Sequence, residues 1–535
     1  MTPAAADRVR RALASAGTVA AGRATEGLDA LRVLRAAGVV TPIRPDKALG
    51  MALSLRYGLS LAAGYTASAA RDGRRTALVD DEGSLTYVQV AARTDALAAA
   101  YSRRGIGSGT AVGLLARNGR GFIEPAVALA KVGADVVLLN TGMATPQLAD
   151  VSVRERLAAA VADEELADLL PAGLERLPSA ATSEDAIRPP TPPRAAGRLV
   201  LLTSGTTGTP KGAARSVSSA GPGIAMLEAI PYRAGEPMVI GSPLFHAWGL
   251  ANLGLSMLLG STVVLRRRFD PEQVLADIDV HRATVLAAVP VMLQRMLELP
   301  AQVRKRYDTS SLRAVAISGS ALAPSLATRF MDAYGDVIYN LYGSTEVGFA
   351  TVASPEDLRA DPATAGRPLR GVTIRLVDSD GEPVAAGQSG RIFVGSDLAF
   401  EGYTGGEDKA RLEGLVSSGD MGRFDEAGRL VVAGRDDDMI VSGGENVFPG
   451  EVEDLIARLD GVREVAVLGV PDERFGQRMA AFVVAGGDLD ADAVRDHVKA
   501  HLASYKVPRD VIFLDELPRN ATGKVVKRRL REEAS

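Results

Sequence analysis

The chain has no cysteine, only four histidines and few aromatic residues, which make up 4% of its 535 positions. Without cysteine, disulfides, thiol catalysis and cysteine-ligated metals are excluded. The histidines, at positions 246, 281, 497 and 501, are too few and too scattered to predict a histidine-rich metal cluster. The chemistry of the chain must therefore rest mainly on carboxylates, hydroxyls, amides and cationic side chains.

Long hydrophobic runs and a strong net charge are also missing. No segment reaches the roughly 18 uncharged apolar residues of a membrane-spanning helix. The chain opens on Met1-Thr-Pro-Ala-Ala-Ala-Asp7, without a basic region followed by an apolar one. We therefore expect a cytoplasmic protein with no integral membrane span. The formal net charge of −4 argues against nucleic acid as an obligatory partner.

Residues 8–57 mix arginine with alanine, leucine and valine, as in Val33-Leu-Arg-Ala-Ala-Gly-Val-Val40. This pattern is compatible with an amphipathic patch that contacts a membrane surface peripherally, and also with helices packed on the body of the protein. We favour the second interpretation and predict a helical N-terminal extension over residues 1–60.

Beyond the extension, short apolar runs alternate with helical stretches. We predict a hairpin of Thr76–Val79 and Leu85–Val88, and strands at Ala111–Leu115 and Ala134–Leu139 around a helix at Ile123–Lys131. Because strands separated by helices form covered parallel sheets, we predict an α/β fold. We expect a large N-terminal domain of βαβ-layered sheets over 61–434, with a small β-rich subdomain at about 370–434. A small mobile α+β domain should follow over 435–535, with helices at 449–459 and 490–503 and strands at 463–469 and 479–485.

A loop of small hydroxyl residues and glycines follows the apolar run Leu199–Leu202: Thr203-Ser-Gly-Thr-Thr-Gly-Thr-Pro-Lys-Gly212. Its backbone N–H groups and hydroxyls can approach a polyphosphate closely, with Lys211 as a mobile counter-charge. It is not a Walker A loop, because Pro210 precedes the lysine and Gly212 follows it. A surface linker is the alternative, which the position directly behind a buried strand disfavours.

Two carboxylates lie in further patterned loops. Glu346, in Asn340-Leu-Tyr-Gly-Ser-Thr-Glu-Val-Gly348, follows the predicted strand Val337–Tyr339 and can hold Mg²⁺ against phosphate oxygens. Asp420, in Ser417-Ser-Gly-Asp-Met-Gly422, can accept two hydrogen bonds from ribose hydroxyls, and Arg435 can reach the ribose or a phosphate. Alone, each loop would more often be a solvated surface turn.

In their order and spacing these motifs resemble those of the adenylate-forming superfamily of acyl-CoA synthetases, peptide-synthetase adenylation domains and luciferases. The resemblance covers about residues 75–532 and is greatest to actinobacterial fatty-acyl-CoA synthetases. It includes Ser318-Gly-Ser-Ala-Leu-Ala323, which lines adenine and the acyl pocket in the family, and Pro518-Arg-Asn-Ala-Thr-Gly-Lys524, the catalytic-lysine motif. A lysine on such a loop can swing onto the charge that develops at the α-phosphate. The basic residues 527–529 beyond it are expected to form a solvated tail.

The resemblance implies a role for each matching residue. The catalytic residues would be Lys524, Glu346, Thr206 and His246. The nucleotide would be bound by Thr203, Ser204, Gly205, Thr206, Thr207, Gly208, Lys211, Gly319, Ser320, Asn340, Tyr342 (stacked on adenine), Gly343, Ser344, Thr345, Asp420 and Arg435. Glu346 would be the magnesium ligand, Asp437 the hinge, and Gly443 and Gly444 part of the coenzyme A tunnel. The acyl pocket would be lined by Phe245, His246 (as a gate rather than a general base), Trp248 and Gly249.

The implied reaction has two halves: a carboxylate attacks Mg·ATP to give an acyl-adenylate and pyrophosphate, and the thiol of coenzyme A then displaces AMP. Other acceptors, such as a carrier protein, or another acid, such as nitrite, remain alternatives, as does a non-catalytic nucleotide-binding relative. The apolar segment Phe245–Met257 favours a medium- or long-chain fatty acid or an aryl acid over acetate. Gly249 and Gly254 could leave room for the acid or permit close helix packing. The sequence leaves the oligomeric state open.

Overall fold

The computed structural model describes residues 27–40, 44–181, 191–203, 211–215, 221–399, 402–403, 409–435, 440–442, 445–447, 449–472, 476–487, 489–520 and 523–534. The helices are α1 (27–36), α2 (Pro45–Ser54), α3 (Leu61–Asp72), α4 (Tyr87–Arg103), α5 (Arg120–Val132), α6 (Thr145–Arg154), α7 (Gly221–Ala229), α8 (Ala247–Leu259), α9 (Pro271–His281), α10 (Pro290–Glu298), α11 (Ala301–Arg304), α12 (Pro324–Tyr334), α13 (Pro355–Ala360), α14 (Pro449–Ile456), α15 (Ala491–His501) and α16 (Lys527–Glu533).

The strands are β1 (Thr76–Asp80), β2 (Gly83–Thr86), β3 (Ala111–Leu115), β4 (Asp135–Leu138), β5 (Ala159–Ala162), β6 (Glu175–Leu177), β7 (Leu199–Thr203), β8 (Lys211–Arg215), β9 (Met238–Ile240), β10 (Val263–Val264), β11 (Val285–Ala288), β12 (Ala314–Ile317), β13 (Ile338–Ser344), β14 (Gly348–Ala353), β15 (Thr364–Pro368), β16 (Thr373–Val377), β17 (Gly390–Gly395), β18 (Arg411–Leu412), β19 (Leu415–Phe424), β20 (Leu430–Arg435), β21 (Ile440–Ser442), β22 (Glu445–Val447), β23 (Val462–Asp472), β24 (Gly476–Ala485) and β25 (Asp510–Phe513). Within these ranges, no helix is long and apolar enough to cross a membrane.

The described strands form three sheets. The largest has the order β16-β17-β19-β20-β15-β14-β13-β12-β11-β9-β10-β1-β2, with β18 on β19. The second has the order β6-β5-β3-β4-β7-β8, and the third, in the C-terminal part, has the order β22-β21-β24-β23 with β25 on β24. Helices separate most of the parallel strands, so the predicted α/β fold with a large N-terminal and a small C-terminal domain is confirmed.

The middle of the largest sheet brings the candidate loops together. Strands β9, β11, β12 and β13 are parallel neighbours, with Ile240 opposite Ala287, Ala288 opposite Ile317, and Ile317 opposite Asn340. The four-residue strands β11 and β12 are buried throughout, as expected for strands covered on both faces. Since parallel strands end at the same edge, the loops after these strands lie side by side.

Two sequence expectations change in detail. The second strand of the first hairpin ends at Thr86 because that threonine caps α4, in a capping box with Gln89. The segment at about 370–434 contains β16 to β20, which continue the large sheet, and its status as a separate subdomain stays a prediction. The C-terminal elements lie where predicted, but the basic tail forms the helix α16, which buries Leu530 completely.

The N-terminal extension packs on the body from residue 27 onward, and residues 1–26 lie outside the described ranges. Ala37 is 4% exposed, and its carbonyl accepts a 2.7 Å hydrogen bond from the Ala234 amide. The Lys47 ammonium donates to the Arg71 carbonyl at 2.6 Å, which holds α2 on α3.

A buried ion pair joins the first strand of the large sheet to α5, whose flanking strands belong to the second sheet. The Arg120 guanidinium donates to both carboxylate oxygens of Asp80, at 2.6 and 3.0 Å, and the Arg120 amide adds a third bond. The two side chains are only 4% and 13% exposed. Burial alone would raise the pKa of Asp80, but the hydrogen bonds and charge of Arg120 lower it below its usual value.

We predict that Asp80→Asn destabilises the protein by about 3 kcal/mol at neutral pH, because it removes the main counter-ion of the largely buried Arg120 and leaves only the exposed Glu82, 3.6 Å away. Since the folded-state pKa of Asp80 is lowered, the wild-type advantage should be full above the unfolded value of about 3.9 and shrink as the pH falls below it. Denaturant unfolding at several pH values measures both effects. The matched control is Asp308→Asn, which breaks an exposed pair with Arg282 and should cost far less. Equal losses from both variants would contradict the prediction.

Candidate active site

Glu346 lies at the tip of a tight hairpin between β13 and β14. Ser344 pairs with Gly348 across the hairpin, so Thr345, Glu346 and Val347 form the turn. Two glycines make the turn possible: Gly348 has φ +77°, and a Cβ on Gly343 would lie 2.1 Å from the Gly348 carbonyl oxygen. The Ser344 hydroxyl accepts a hydrogen bond from the Glu346 amide at 3.2 Å.

The environment of Glu346 keeps its carboxylate charged. Burial alone would raise the pKa of Glu346, but hydrogen bonds from Tyr403 and Ser344 and the charge of Lys409 lower it overall. The Tyr403 hydroxyl donates to the Oε1 atom at 2.7 Å. Among the described residues there is no cluster of three or more acidic, histidine or cysteine side chains that could hold a metal. A single ionised carboxylate fits Mg²⁺, which commonly binds one or two carboxylates together with substrate phosphates and water.

Asp420 and Arg435 face each other across β19 and β20, as paired residues of the two strands. The Arg435 Nε atom is 3.9 Å from the Asp420 Oδ1 atom, and the Tyr342 hydroxyl donates to Oδ2 at 2.6 Å. Burial raises the pKa of Asp420 above its usual value, while Tyr342, Arg435, Ser418 and Lys524 oppose the rise. Burial and the nearby Asp420 charge raise the pKa of Tyr342, so this phenol stays protonated and keeps donating. Its stacking on adenine stays a prediction.

Lys524 belongs to a turn of the C-terminal domain that lies against the N-terminal domain. The Lys524 amide donates to Asn520 Oδ1 at 3.0 Å, and the Asn520 amide donates to the Lys524 carbonyl at 2.9 Å. Gly523 has φ +77°, and a Cβ there would lie 2.4 Å from Val291 Cγ1. The turn is therefore seated on the start of α10, directly after β11.

This seating brings Lys524 to the other charged groups. Its side chain is exposed to solvent, but the surrounding protein still desolvates the ammonium, and this lowers the pKa of Lys524 together with the nearby Arg435. The carboxylates Glu346 and Asp420 act in the opposite direction. The structure thus gathers Lys524, Glu346, Asp420 and Arg435, which come from both domains, around one site.

His246 and Trp248 lie at the start of α8. The pKa of His246 is lowered to about 3, first by burial and then by the Lys524 charge, so the ring is neutral at physiological pH. Its Nε2 atom is buried and has no hydrogen-bond partner among the described residues, and the ring lies 4.4 Å from that of Phe245. The Trp248 indole N–H donates to the Ala288 carbonyl at 3.1 Å, and its ring meets Phe349 edge-on. A neutral, desolvated imidazole suits a pocket wall better than a general base.

The two glycines of α8 differ in their surroundings. A Cβ on Gly249 would lie 2.3 Å from the Pro243 carbonyl oxygen, whereas nothing lies within 4 Å of a Cβ on Gly254. Of the two roles that the sequence left open for Gly249, the structure supports close packing of α8 against the loop after β9.

Only some of the remaining residues predicted to bind the nucleotide lie within the described part of the chain. Gly319 and Ser320 follow β12, and Asn340 lies in β13 beside the end of β12. Thr203 and Lys211 pair across β7 and β8, so the lysine begins a strand rather than a helix. The predicted phosphate-loop residues Ser204, Gly205, Thr206, Thr207 and Gly208, the predicted hinge Asp437, and the predicted coenzyme A residues Gly443 and Gly444 lie outside the described residues.

The sequence did not single out two residues that position the site. Asn118, 6% exposed, donates to the Ser242 carbonyl at 3.0 Å and accepts from the Leu244 amide at 2.8 Å, so it fixes the loop that carries His246. Tyr403 fixes Glu346. The sequence pattern that could have indicated Asn118 is a side-chain amide just after the apolar strand β3. No sequence pattern indicated Tyr403, which is far along the chain from Glu346.

Two family models match the chain. The AMP-binding enzyme model matches residues 65–404, and the model of the AMP-binding enzyme C-terminal domain matches residues 451–524. The first alone spans more than half of the chain, and the second ends on Lys524.

Similar proteins agree with these matches. An indoleacetate–CoA ligase of Aromatoleum aromaticum is 34% identical over 491 residues, covering 86% of this chain and 95% of the relative. The long-chain-fatty-acid–CoA ligase FadD13 of Mycobacterium tuberculosis is 32% identical over 481 residues, covering 84% and 93%. Among solved structures, an amide bond synthetase from Marinactinospora thermotolerans superimposes with a TM-score of 0.77 at 28% identity, covering 89% of this chain and all of that chain.

We predict that Tyr342→Phe raises the pKa of Asp420 further, because the variant removes a hydrogen bond that favours the ionised carboxylate. If Asp420 binds the nucleotide as a carboxylate, kcat/KM for ATP should begin to fall at a higher pH than in the wild type. The pH profile of kcat/KM measures this shift. Tyr339→Phe is the matched control, since Tyr339 lies on the same strand but on its other face. A profile of Tyr342→Phe that overlays the wild type would contradict the prediction.

Proposed function

The chain belongs to the AMP-binding enzyme family, and from this premise we propose that it joins a carboxylic acid to coenzyme A through an acyl-adenylate. In the first half-reaction a carboxylate oxygen bonds to the α-phosphorus of ATP as the bond to pyrophosphate breaks. In the second, the thiol sulfur bonds to the acyl carbon as AMP leaves. The observation that carries the proposal is that the charge of Lys524 interacts with those of Glu346, Asp420 and Arg435, the last two being 3.9 Å apart.

The chemistry of adenylation needs positioning and charge neutralisation more than a protein nucleophile. Glu346, ionised and held by Tyr403, would bind Mg²⁺, and the cation would neutralise phosphate charge. Asp420 would accept hydrogen bonds from the ribose, kept in place by Tyr342. Lys524 would donate to the oxygens on which negative charge grows as the α-phosphate is attacked.

The proposed acid is apolar: a medium- or long-chain fatty acid or an aryl acid. The start of α8 offers the rings of Phe245, neutral His246 and Trp248, with Phe349 edge-on to the indole 6.1 Å away. Such a wall favours an aromatic ring or an aliphatic chain over a small polar acid. The names of the two relatives support both classes, since one acts on indoleacetate and the other on long-chain fatty acids.

A second candidate keeps the adenylate and changes the acceptor. The similarity to an amide bond synthetase favours it, since the fold and the adenylation half could then be shared while an amine replaces the thiol. The predicted coenzyme A residues Gly443 and Gly444 lie outside the described residues, so the acceptor is inferred from the relatives named as CoA ligases.

The proposal is tested by a panel of acids: acetate, octanoate, palmitate, benzoate, indoleacetate and nitrite, each assayed for ATP-dependent pyrophosphate release. Coenzyme A consumption and AMP release are then compared, with and without an added amine. We expect release with a fatty or aryl acid, little with acetate, and one coenzyme A consumed for each AMP. Glu346→Gln keeps the shape but not the charge and should lose the activity by orders of magnitude. Pyrophosphate release at the wild-type rate by this variant would contradict the assigned site.

We further predict that Lys524→Ala abolishes acyl-adenylate formation but still converts supplied acyl-adenylate and coenzyme A into thioester. The reason is that the lysine acts on the α-phosphate charge, which develops only in the first half-reaction. Each half-reaction is measured alone, with purified acyl-adenylate for the second. Arg528→Ala, which removes an 81% exposed cation of the same domain, is the control and should affect neither half. Equal loss of both halves in Lys524→Ala would contradict the separate role of the lysine.

A further inference from the structure

The exposed large hydrophobic side chains are concentrated in the N-terminal extension. Of thirteen such side chains in the described part of the chain, seven lie within residues 27–60, and the other six are spread over the rest. The seven are Leu28, Leu31, Val40, Leu49, Leu53, Leu55 and Leu59. Scattered exposed apolar residues are ordinary, but a concentration of them indicates a contact surface.

Four of these residues form what we define as the leucine face: Leu49 and Leu53 on α2, Leu55 in the 3₁₀ turn that follows, and Leu59. They are 62%, 54%, 62% and 48% exposed. Leucine side chains are stabilised when they are removed from water. The leucine face would therefore be stabilised by contact with an apolar environment.

The other side of α2 packs on the body of the protein. The Lys47 ammonium binds the Arg71 carbonyl, Ser54 is 2% exposed, and a Cβ on Gly50 would lie 2.8 Å from that of Ala70. These contacts fix the orientation of α2, so the leucine face cannot turn inward without breaking them.

The charges around the leucine face are mainly positive, although Arg44 pairs at 3.1 Å with the exposed Asp46. Arg44 precedes α2 with its side chain 76% exposed, and Arg56 lies exposed between Leu55 and Leu59. Residues 1–60 contain nine basic and four acidic residues, a net charge of +5 in a chain whose total is −4. The extension is thus a basic and apolar element on an otherwise acidic protein.

We propose that the leucine face docks on the surface of an anionic lipid bilayer. The leucines would enter the boundary between headgroups and acyl chains, and Arg44 and Arg56 would pair with lipid phosphates. The attraction of the basic residues to the anionic surface and the burial of the leucines would both favour binding. Two binding signals of different kind are what stable but reversible surface attachment requires.

Charge also argues against the other occupants of this face. Residues 1–26 carry Arg8, Arg10, Arg11 and Arg23, which would lie against Arg44 and Arg56 if this segment covered the leucines. A second copy paired through the same face would oppose the arginines of both copies. An anionic bilayer attracts all of these charges at once.

The leucine face is connected through α3 to α8, the helix that carries the proposed acyl-pocket residues. The α3 helix, on which α2 rests, packs on the C-terminal end of α8: the Ser68 hydroxyl donates to the Met257 carbonyl at 2.7 Å. The lipid contact involves none of the charged residues around Lys524, and the proposal does not depend on which acid or acceptor is used.

The test is sedimentation of the full-length protein with vesicles of phosphatidylcholine alone or with phosphatidylglycerol added. We expect binding to the anionic vesicles, weaker at high salt because screening reduces the charge term. The variant L49N/L53N/L55N/L59N should bind at least tenfold more weakly. The control V153N/V280N replaces two valines that are 79% and 75% exposed elsewhere and should bind like the wild type. Far-UV circular dichroism and thermal unfolding confirm that both variants remain folded.

Three results would overturn the proposal. The first is no binding of the wild type to anionic vesicles. The second is equal binding by the wild type and the four-leucine variant, which would place the contact elsewhere. The third is a wild-type dimer that the four-leucine substitution converts to a monomer in sedimentation velocity, with no vesicle binding, which would make a second copy the occupant.

Discussion

The parallel alignment of β9, β11, β12 and β13 is the constraint on which the rest of the structure depends. Residues near their C-terminal ends are in register, Ile240 with Ala287, Ala288 with Ile317 and Ile317 with Asn340, so the loops after β9, β11 and β12 begin at one edge. Residues far apart in sequence thereby become neighbours. The C-terminal domain adds its lysine to an edge that the N-terminal domain has already built.

The pKa values of the two carboxylates in this cluster are shifted in opposite directions. Hydrogen bonds and nearby positive charge favour the ionised form of Glu346, whereas burial outweighs the same kinds of interaction at Asp420. Desolvation and the charge of Arg435 lower the pKa of Lys524, whereas the two carboxylates raise it. Because opposite charges within the cluster offset one another, the carboxylates of Glu346 and Asp420 stabilise the positive charge of Lys524.

Much of the fold and of the site was predictable because local patterns carried it. The buried strands and the glycine-rich turns with their carboxylates were visible as motifs, and the resemblance to the superfamily supplied the roles that we propose for Glu346, Asp420 and Lys524. What the sequence could not show was contact between distant segments. Asn118 and Tyr403 act through partners more than fifty residues away, and the packing of Gly249 depends on a neighbouring backbone that one helix does not reveal. The start of α4 at Tyr87 was missed because the capping threonine also fits a strand.

The contact between Gly523 and Val291 ties the two domains together by shape rather than by charge. A methyl group at position 523 would overlap the valine side chain, so the turn that carries Lys524 can sit down only where one partner has no side chain and the other is small. The two positions, on different domains, are therefore linked in one direction: a side chain at position 523 requires a smaller residue at position 291, whereas Gly523 has no side-chain volume to give up. A residue larger than Val291 would press on the turn that carries Lys524.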